Sequence, residues 1–81
     1  MAALIRAVSR RMPRIRAAAV VHTPDQAVKA RVARNDRSAE VRIAAVRSMT
    51  DRKTLTAISK DEDLATAVRR AARERLKRLP K

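Results

Sequence analysis

The 81-residue chain contains no glycine, no cysteine and no aromatic residue. Without phenylalanine, tyrosine and tryptophan, a β-sheet loses most of its usual formers, so we expect helices throughout. Without cysteine, the chain can form neither a disulfide nor a thiolate metal ligand, which fits a reducing compartment such as the cytoplasm. The absence of aromatic rings also excludes the stacking surfaces that proteins use to hold single-stranded nucleic acids.

Long apolar runs and catalytic motifs are missing as well. The longest apolar run, residues 17–21, is far shorter than the roughly 20 residues that a membrane helix needs. The chain has no glycine-rich phosphate loop, no pair of metal-binding residues, and no nucleophile at a suggestive distance from a histidine and an acid. We therefore expect a non-enzymatic protein with no cofactor, no metal and no small-molecule substrate.

Positive charge is present in excess along the whole chain. Lysine and arginine number 21 against 8 acidic residues, which gives a formal net charge of +13. Residues 1–24 contribute +5, residues 25–50 contribute +3 and residues 51–81 contribute +5, so every third is basic. A charge of this size on a small body attracts polyanions and anionic surfaces.

Two stretches of the chain carry the same pattern at a spacing of 27 residues. Residues 36–49 read Asp-x4-Val-Arg-x-Ala-Ala-x3-Met, and residues 63–76 repeat this with leucine as the last residue. In both copies the valine, the alanines and the last apolar residue fall on one stripe of a helix. A third, weaker copy comes first, with its stripe at Ile15, Ala18, Ala19 and His22. A period of this length is typical of stacked repeats, which bury their apolar faces against each other.

The repeated pattern resembles the second helix of a HEAT-type repeat. Leu55-x2-Ile58, followed by Asp61 and Asp63, resembles the related leucine-rich-repeat variant. The resemblance covers about residues 11–79. It implies an all-α fold, built as a short right-handed stack of about three helical hairpins in a single domain. The three units are expected to cover about residues 1–22, 23–49 and 50–79 of the domain 1–81.

Local signals predict six short helices. The first covers residues 1–11, and the second starts at Pro13 because proline is tolerated only in a first turn. The last covers residues 64–79 and ends before Pro80. The expected N-terminal caps are residues whose side chains accept hydrogen bonds from first-turn N–H groups. They are Thr23 for the third helix, Asp36 or Ser38 for the fourth, Thr50 with Asp51 for the fifth, and Asp63 for the sixth.

A comparison of the copies predicts which helix lies at an end of the stack. Ile43 and Val46 lie beside the main stripe of their helix, as expected of a helix with neighbours on both sides. The matching positions in the last helix are Arg70 and Arg73. Polar residues at such places are how a terminal repeat closes a solenoid.

The candidate functional residues are basic side chains opposite the apolar stripe of the last helix. Arginine suits them to phosphate, because its guanidinium can donate two parallel hydrogen bonds. We predict a nucleic-acid-binding site that contacts the backbone of structured RNA, ribosomal or other, or of duplex DNA, with low sequence specificity. Its expected residues are Arg69, Arg70, Arg73, Lys77 and Lys81, with Arg16 and Arg42 at the place of Arg69 in the earlier units.

Two further partners stay open. An acidic partner protein could bind the concave helical surface, with Val21 and Ile43 as apolar anchors. Anionic membranes are disfavoured, because the apolar side of the last helix lacks tryptophan and phenylalanine and is needed for the core.

Several features have a structural and a functional interpretation. We expect His22 to be partly buried or to cap a helix rather than to act as a ligand or base. We expect the acids of residues 61–63 to cap a helix rather than to bind a cation. Residues 1–24 bear arginine and no acid, so an organelle transit peptide is an alternative to a cytoplasmic protein.

Overall fold

The computed structural model describes residues 12–80 of the protein. This part of the chain is all-helical, as predicted, and contains no strand. The helix predicted over residues 1–11, and Lys81, lie outside the described residues. Residues 12–80 form five helices: α1 Pro13–His22, α2 Gln26–Asn35, α3 Ala39–Ser48, α4 Arg52–Lys60 and α5 Thr66–Arg78.

Helices α1, α3 and α5 lie side by side, with α3 in the middle and in contact with both neighbours. Helix α2 packs against α3 and more lightly against α1, and α4 packs against α5. The chain therefore alternates between this central row and the helices that pack against it. The middle position of α3 explains why Val46, beside its main stripe, is fully buried.

The core is formed by aliphatic side chains from the last four helices together with Val20 of α1. Val41 and Val68, which begin the stripes of α3 and α5, are both inaccessible to solvent, as the repeat pattern predicted. Leu55 and Ile58 of α4 are also fully buried, as predicted. Burying one such side chain stabilises the fold by about 1.5–3 kcal/mol.

Helix α1 does not bury the stripe that the sequence predicted for it. Ile15 is 46% exposed, and His22 is exposed in the last turn of the helix. Partial burial, the first of the two structural roles predicted for His22, is therefore wrong, and its position in the last turn of α1 is the one expected for the second, a residue at a helix cap. The residues of α1 that are buried are Arg16 and Val20, because these face α3.

The start of α2 differs from the prediction. Its cap is Asp25 and not Thr23: the Asp25 carboxylate accepts hydrogen bonds from the N–H groups of Ala27 at 2.9 Å and Val28 at 3.3 Å. The Thr23 hydroxyl accepts from the N–H of Asp25 instead, and so shapes the turn that leads into the helix.

The starts of the next helices also lack the predicted bonds. Ser38 and Asp51 occupy the cap positions of α3 and α4, but neither side chain accepts a first-turn N–H. Helix α5 begins two residues later than predicted, at Thr66, because Leu64 is held in a turn by its N–H bond to the carbonyl of Asp61. Asp63 therefore lies too far from the helix to cap it.

The helices end without glycine and without any left-handed residue in the described part of the chain. The residue after each helix is extended or close to it, so the last carbonyl oxygens need other donors. Three basic side chains reach carbonyls at the ends of α1, α3 and α5, where the helix dipole favours a cation. Lys29 Nζ donates to Val21 (3.4 Å) and Ser48 (2.9 Å), Arg75 Nε to Met49 (2.8 Å), and Arg52 Nη2 to Leu79 (3.4 Å) and Pro80 (3.1 Å).

Candidate nucleic-acid interface

One side of α5 presents a stripe of exposed basic residues. Arg70, Arg73 and Lys77 are exposed, and their spacing of three and four residues places them on one face of the helix. Val68 and Ala72, on the other side, are buried in the core. The core contacts of α5 therefore fix the direction in which the basic side chains point.

The charges of this stripe are not neutralised within the described residues. The side chains of Arg70 and Lys77 make no hydrogen bond and no ion pair there, and the side chain of Arg73 donates only to the carbonyl oxygen of Ser59, at 3.4 Å. This long bond links Arg73 to α4 and leaves most of its guanidinium donors for a ligand. Helix α5 carries six basic residues and one acid, which gives it a charge of +5.

Arg69 lies at the edge of the stripe and is half-buried. Its Nη2 donates to the hydroxyl of Thr66 at 3.1 Å, while its buried Nε has no partner. An unpaired buried donor costs free energy, and because this nitrogen has no surface open to solvent, we do not count it among the donors available to a ligand. We define Arg69, Arg70, Arg73 and Lys77 as the α5 surface.

The other predicted site residues do not join the α5 surface. Arg16 is only 7% exposed, and its guanidinium is engaged by the carboxylate of Asp36. Arg42 is half-buried and donates through Nη1 to the carbonyl oxygen of Asp36. These two arginines connect α1 and α3 to the segment between α2 and α3, so we leave them out of the proposed interface.

Asp36 is held in its charged form by these surroundings. Burial alone would raise its pKa, but hydrogen bonds from Arg16 and from the N–H of Ser38, with the charges of Arg16 and Arg37, lower the pKa below its usual 3.8. Asp36 is therefore a carboxylate that joins Arg16 to the N–H of Ser38.

The acidic residues 61–63 form a turn and an ion pair. Asp61 accepts a hydrogen bond from the N–H of Asp63 at 3.0 Å and pairs with Arg34 of α2. The bond from Asp63 and the bond from Arg34 lower the pKa of Asp61. Within the described part of the chain, no group of three or more potential ligands is placed to hold a metal ion.

A second basic feature was not predicted from the sequence. Arginines from α3 and α5 meet at a cleft of about 80 Å³, which we call the α3–α5 cleft. Its lining residues are Arg47, Ala71, Glu74, Arg75 and Arg78. The sequence did hold one signal: Arg75 takes the place of Ser48 on the otherwise apolar stripe of the repeat. The distance between the two helices, however, could not be deduced from that pattern.

The described helices are all too short or too polar to cross a membrane. Comparisons of the protein with family models, with characterised proteins and with solved structures find no match.

Proposed function

We propose that the protein is a non-enzymatic cytoplasmic module that binds the phosphate backbone of structured RNA or duplex DNA through the α5 surface. The observation that carries the proposal is the exposed stripe of Arg70, Arg73 and Lys77, which no acid of the described chain neutralises. A folded polyanion supplies the missing negative charge.

The dimensions of the stripe suit a nucleic-acid strand. Arg70 and Lys77 are seven residues apart, which is about 10 Å along a helix. Phosphates of one strand of duplex DNA advance by about 3.4 Å along its axis, so the stripe can meet about three of them. Because the chain has no aromatic residue, we infer that it recognises the shape and charge of the backbone, with little sequence preference.

We further propose that the helices are units of a HEAT-like stack with a 27-residue period. The support is the row of α1, α3 and α5, in which each helix starts with the same pattern of residues and α3 has neighbours on both sides. The exposure of Arg70 and Arg73 on α5, where α3 carries apolar residues, agrees with a terminal unit.

The proposal is tested by measuring binding to an RNA hairpin and a DNA duplex, by fluorescence anisotropy, over a range of salt concentrations. With three phosphate contacts, log K should fall with log salt at a slope of about −3. The triple variant Arg70→Gln, Arg73→Gln, Lys77→Gln should lose most of this slope.

A matched control removes the same charge elsewhere. The variant Arg14→Gln, Arg31→Gln, Lys53→Gln changes two arginines and one lysine, all exposed, and should bind nearly as the wild type does. Equal losses of nucleic-acid affinity in the two variants would show a diffuse effect of net charge and would contradict a site on α5. A wild-type affinity that does not change with salt would end the proposal.

An acidic partner protein is the second candidate. The observation that favours it is the exposure of Val21, one of the predicted apolar anchors, which is 44% exposed, whereas the other anchor, Ile43, is half-buried. A protein that co-purifies after nuclease treatment, and is lost in Val21→Asp, would support this candidate over nucleic acid.

A further inference from the structure

The α3–α5 cleft collects three arginines from two helices. Arg47 comes from α3, and Arg75 and Arg78 come from α5. The volume of about 80 Å³ exceeds what one water molecule needs, so the cleft can admit a group the size of a phosphate. With Glu74 as the one acid in its lining, the formal charge of the cleft is three minus one, or +2.

The donors of these arginines are available. The side chains of Arg47 and Arg78 make no hydrogen bond and no ion pair in the chain that the structure describes. Arg75 is anchored, because its Nε donates to the carbonyl oxygen of Met49 at 2.8 Å, and its two Nη nitrogens have no partner there. An anchored guanidinium loses little further freedom on binding, which favours a ligand in the cleft.

Stabilisation of helix ends explains only part of this arrangement. Arg47 lies in the last turn of α3, and Arg75 and Arg78 lie in the last turn of α5, where cations complement the helix dipole. Arg75 also acts across the two helices, because its Nε donates to the carbonyl oxygen of Met49 at the end of α3, whereas the side chains of Arg47 and Arg78 make no such bond. The helix dipole gives no reason for Arg47 and Arg78 to line the same cleft as Arg75, because the three like charges repel each other and Glu74 offsets only one of them.

We propose that the α3–α5 cleft binds a single phosphate group between Arg47, Arg75 and Arg78. The inference deepens the proposed function and rests on it for the source of the phosphate, which is the backbone of the bound nucleic acid. On α5, Arg78 lies about 80° from Arg70 around the helix axis, with Glu74 between them, so the cleft lies beside the α5 surface. One strand can thus contact both.

The cleft is tested with inorganic phosphate as the probe. In NMR titrations of the full chain, the Nε–Hε signals of Arg47, Arg75 and Arg78 should shift and saturate with phosphate, and should not do so with sodium chloride of equal ionic strength. Arg47→Gln and Arg78→Gln should each weaken binding about tenfold, as expected for the loss of a charged hydrogen bond. Glu74→Gln should strengthen it, because it removes the one opposing charge.

Arg31→Gln serves as the control, because Arg31 is an exposed arginine that does not line the cleft. It should leave the phosphate affinity unchanged. Signals that do not saturate, uniform shifts of all arginines, or unchanged affinity in Arg47→Gln and Arg78→Gln would overturn the inference. Circular dichroism establishes that each variant is folded.

Measurements of nucleic-acid binding distinguish the failure of this inference from the failure of the proposed function. The double variant Arg47→Gln, Arg78→Gln should reduce the salt slope by about 1, because the cleft takes one phosphate. If it binds nucleic acid as the wild type does and the cleft fails to saturate with phosphate, the inference is overturned and the proposed function stands. If the cleft saturates but no nucleic acid binds at low salt, the proposed function fails and the cleft takes a free phosphate.

Discussion

Arg16 and Asp36 form a bidentate ion pair that joins α1 to the segment leading into α3. The distances are 3.1 Å from Nε to Oδ2 and 3.1 Å from Nη2 to Oδ1, and the two side chains are 7% and 14% exposed. The pair explains how a charged residue takes the place that an apolar side chain would otherwise fill between α1 and α3.

Removing one partner of this pair should destabilise the protein. Asp36→Asn leaves the buried guanidinium of Arg16 without its counter-charge, and we expect the free energy of unfolding to fall by about 3 kcal/mol. Urea unfolding followed by circular dichroism measures this. Adding Arg16→Met should restore part of the lost free energy of unfolding. If the double variant lost more free energy than the two single variants together, the pairing would be contradicted.

Acid should weaken the fold in a defined direction. The pKa values of Asp36 and Asp61 are lowered below 3.8 in the folded protein, so the unfolded chain binds more protons as the pH falls. The stability that these two carboxylates give to the folded protein is complete above about pH 4 and is lost as the pH falls through the lowered pKa values. We expect the melting temperature to drop over this range and to drop less in Asp36→Asn. Glu40→Gln, which removes an exposed carboxylate with no ion pair in the described chain, should follow the wild type.

Lys29 should be needed for the ends of two helices. Its side chain belongs to a residue that is only 5% exposed, and its ammonium donates to carbonyl oxygens of α1 and α3. Lys29→Met keeps the stem and leaves these carbonyls without a donor, which should cost about 1–3 kcal/mol. Lys53→Met, on the surface of α4, should change stability by no more than about 0.5 kcal/mol. Urea unfolding measures both variants. A similar loss of unfolding free energy in the two would contradict the role of Lys29.

Leu55 is expected to be among the most sensitive positions, because it is fully buried in a small core. Leu55→Ala should lower the free energy of unfolding by about 2–5 kcal/mol. The free energy of unfolding of a chain of this length is on the order of 4–12 kcal/mol. The variant should therefore unfold well below the melting temperature of the wild type. Val28→Ala, at an exposed valine, is the comparison and should have a small effect.

Salt should stabilise the protein in the absence of any partner. At a net charge of +13, mutual repulsion opposes the compact state, and screening reduces it. Raising the ionic strength from about 0.01 M to about 0.15 M shortens the Debye length from about 30 Å to about 8 Å, and the melting temperature should rise. In Arg70→Gln, Arg73→Gln, Lys77→Gln the charge falls from +13 to +10, and the rise should be smaller. A melting temperature that falls with salt would contradict repulsion as the dominant effect.

The parts of the fold that could be predicted depend on periodicity within one helix. The positions of Val41, Val68, Leu55 and Ile58 follow from which side of a helix they occupy, and all four are buried. The exposed stripe of α5 follows from the same reasoning. In α3, α4 and α5 the spacing of apolar residues was enough to predict these positions, whereas in α1 it was not, since Ile15 is 46% exposed.

The parts that could not be predicted depend on distances between helices. Arg16 stands at the same place in its repeat as Arg69, yet Arg16 is buried because the turn after α2 brings Asp36 to it. Nothing in the sequence ties these residues, 20 positions apart, to each other. The same applies to Arg47 and Arg78, which meet only because α3 and α5 are neighbours.

The exposed side of α5 also bears on how many molecules can sit together on one ligand. Two copies that approach through this side place guanidinium groups of Arg70 and Arg73 against each other, so the protein by itself is kept from pairing there. A polyanion bound between them removes that repulsion without creating any attraction between the copies. Under the proposed function, loading along a nucleic acid should therefore be non-cooperative, with the number of bound molecules set by the length of the polymer.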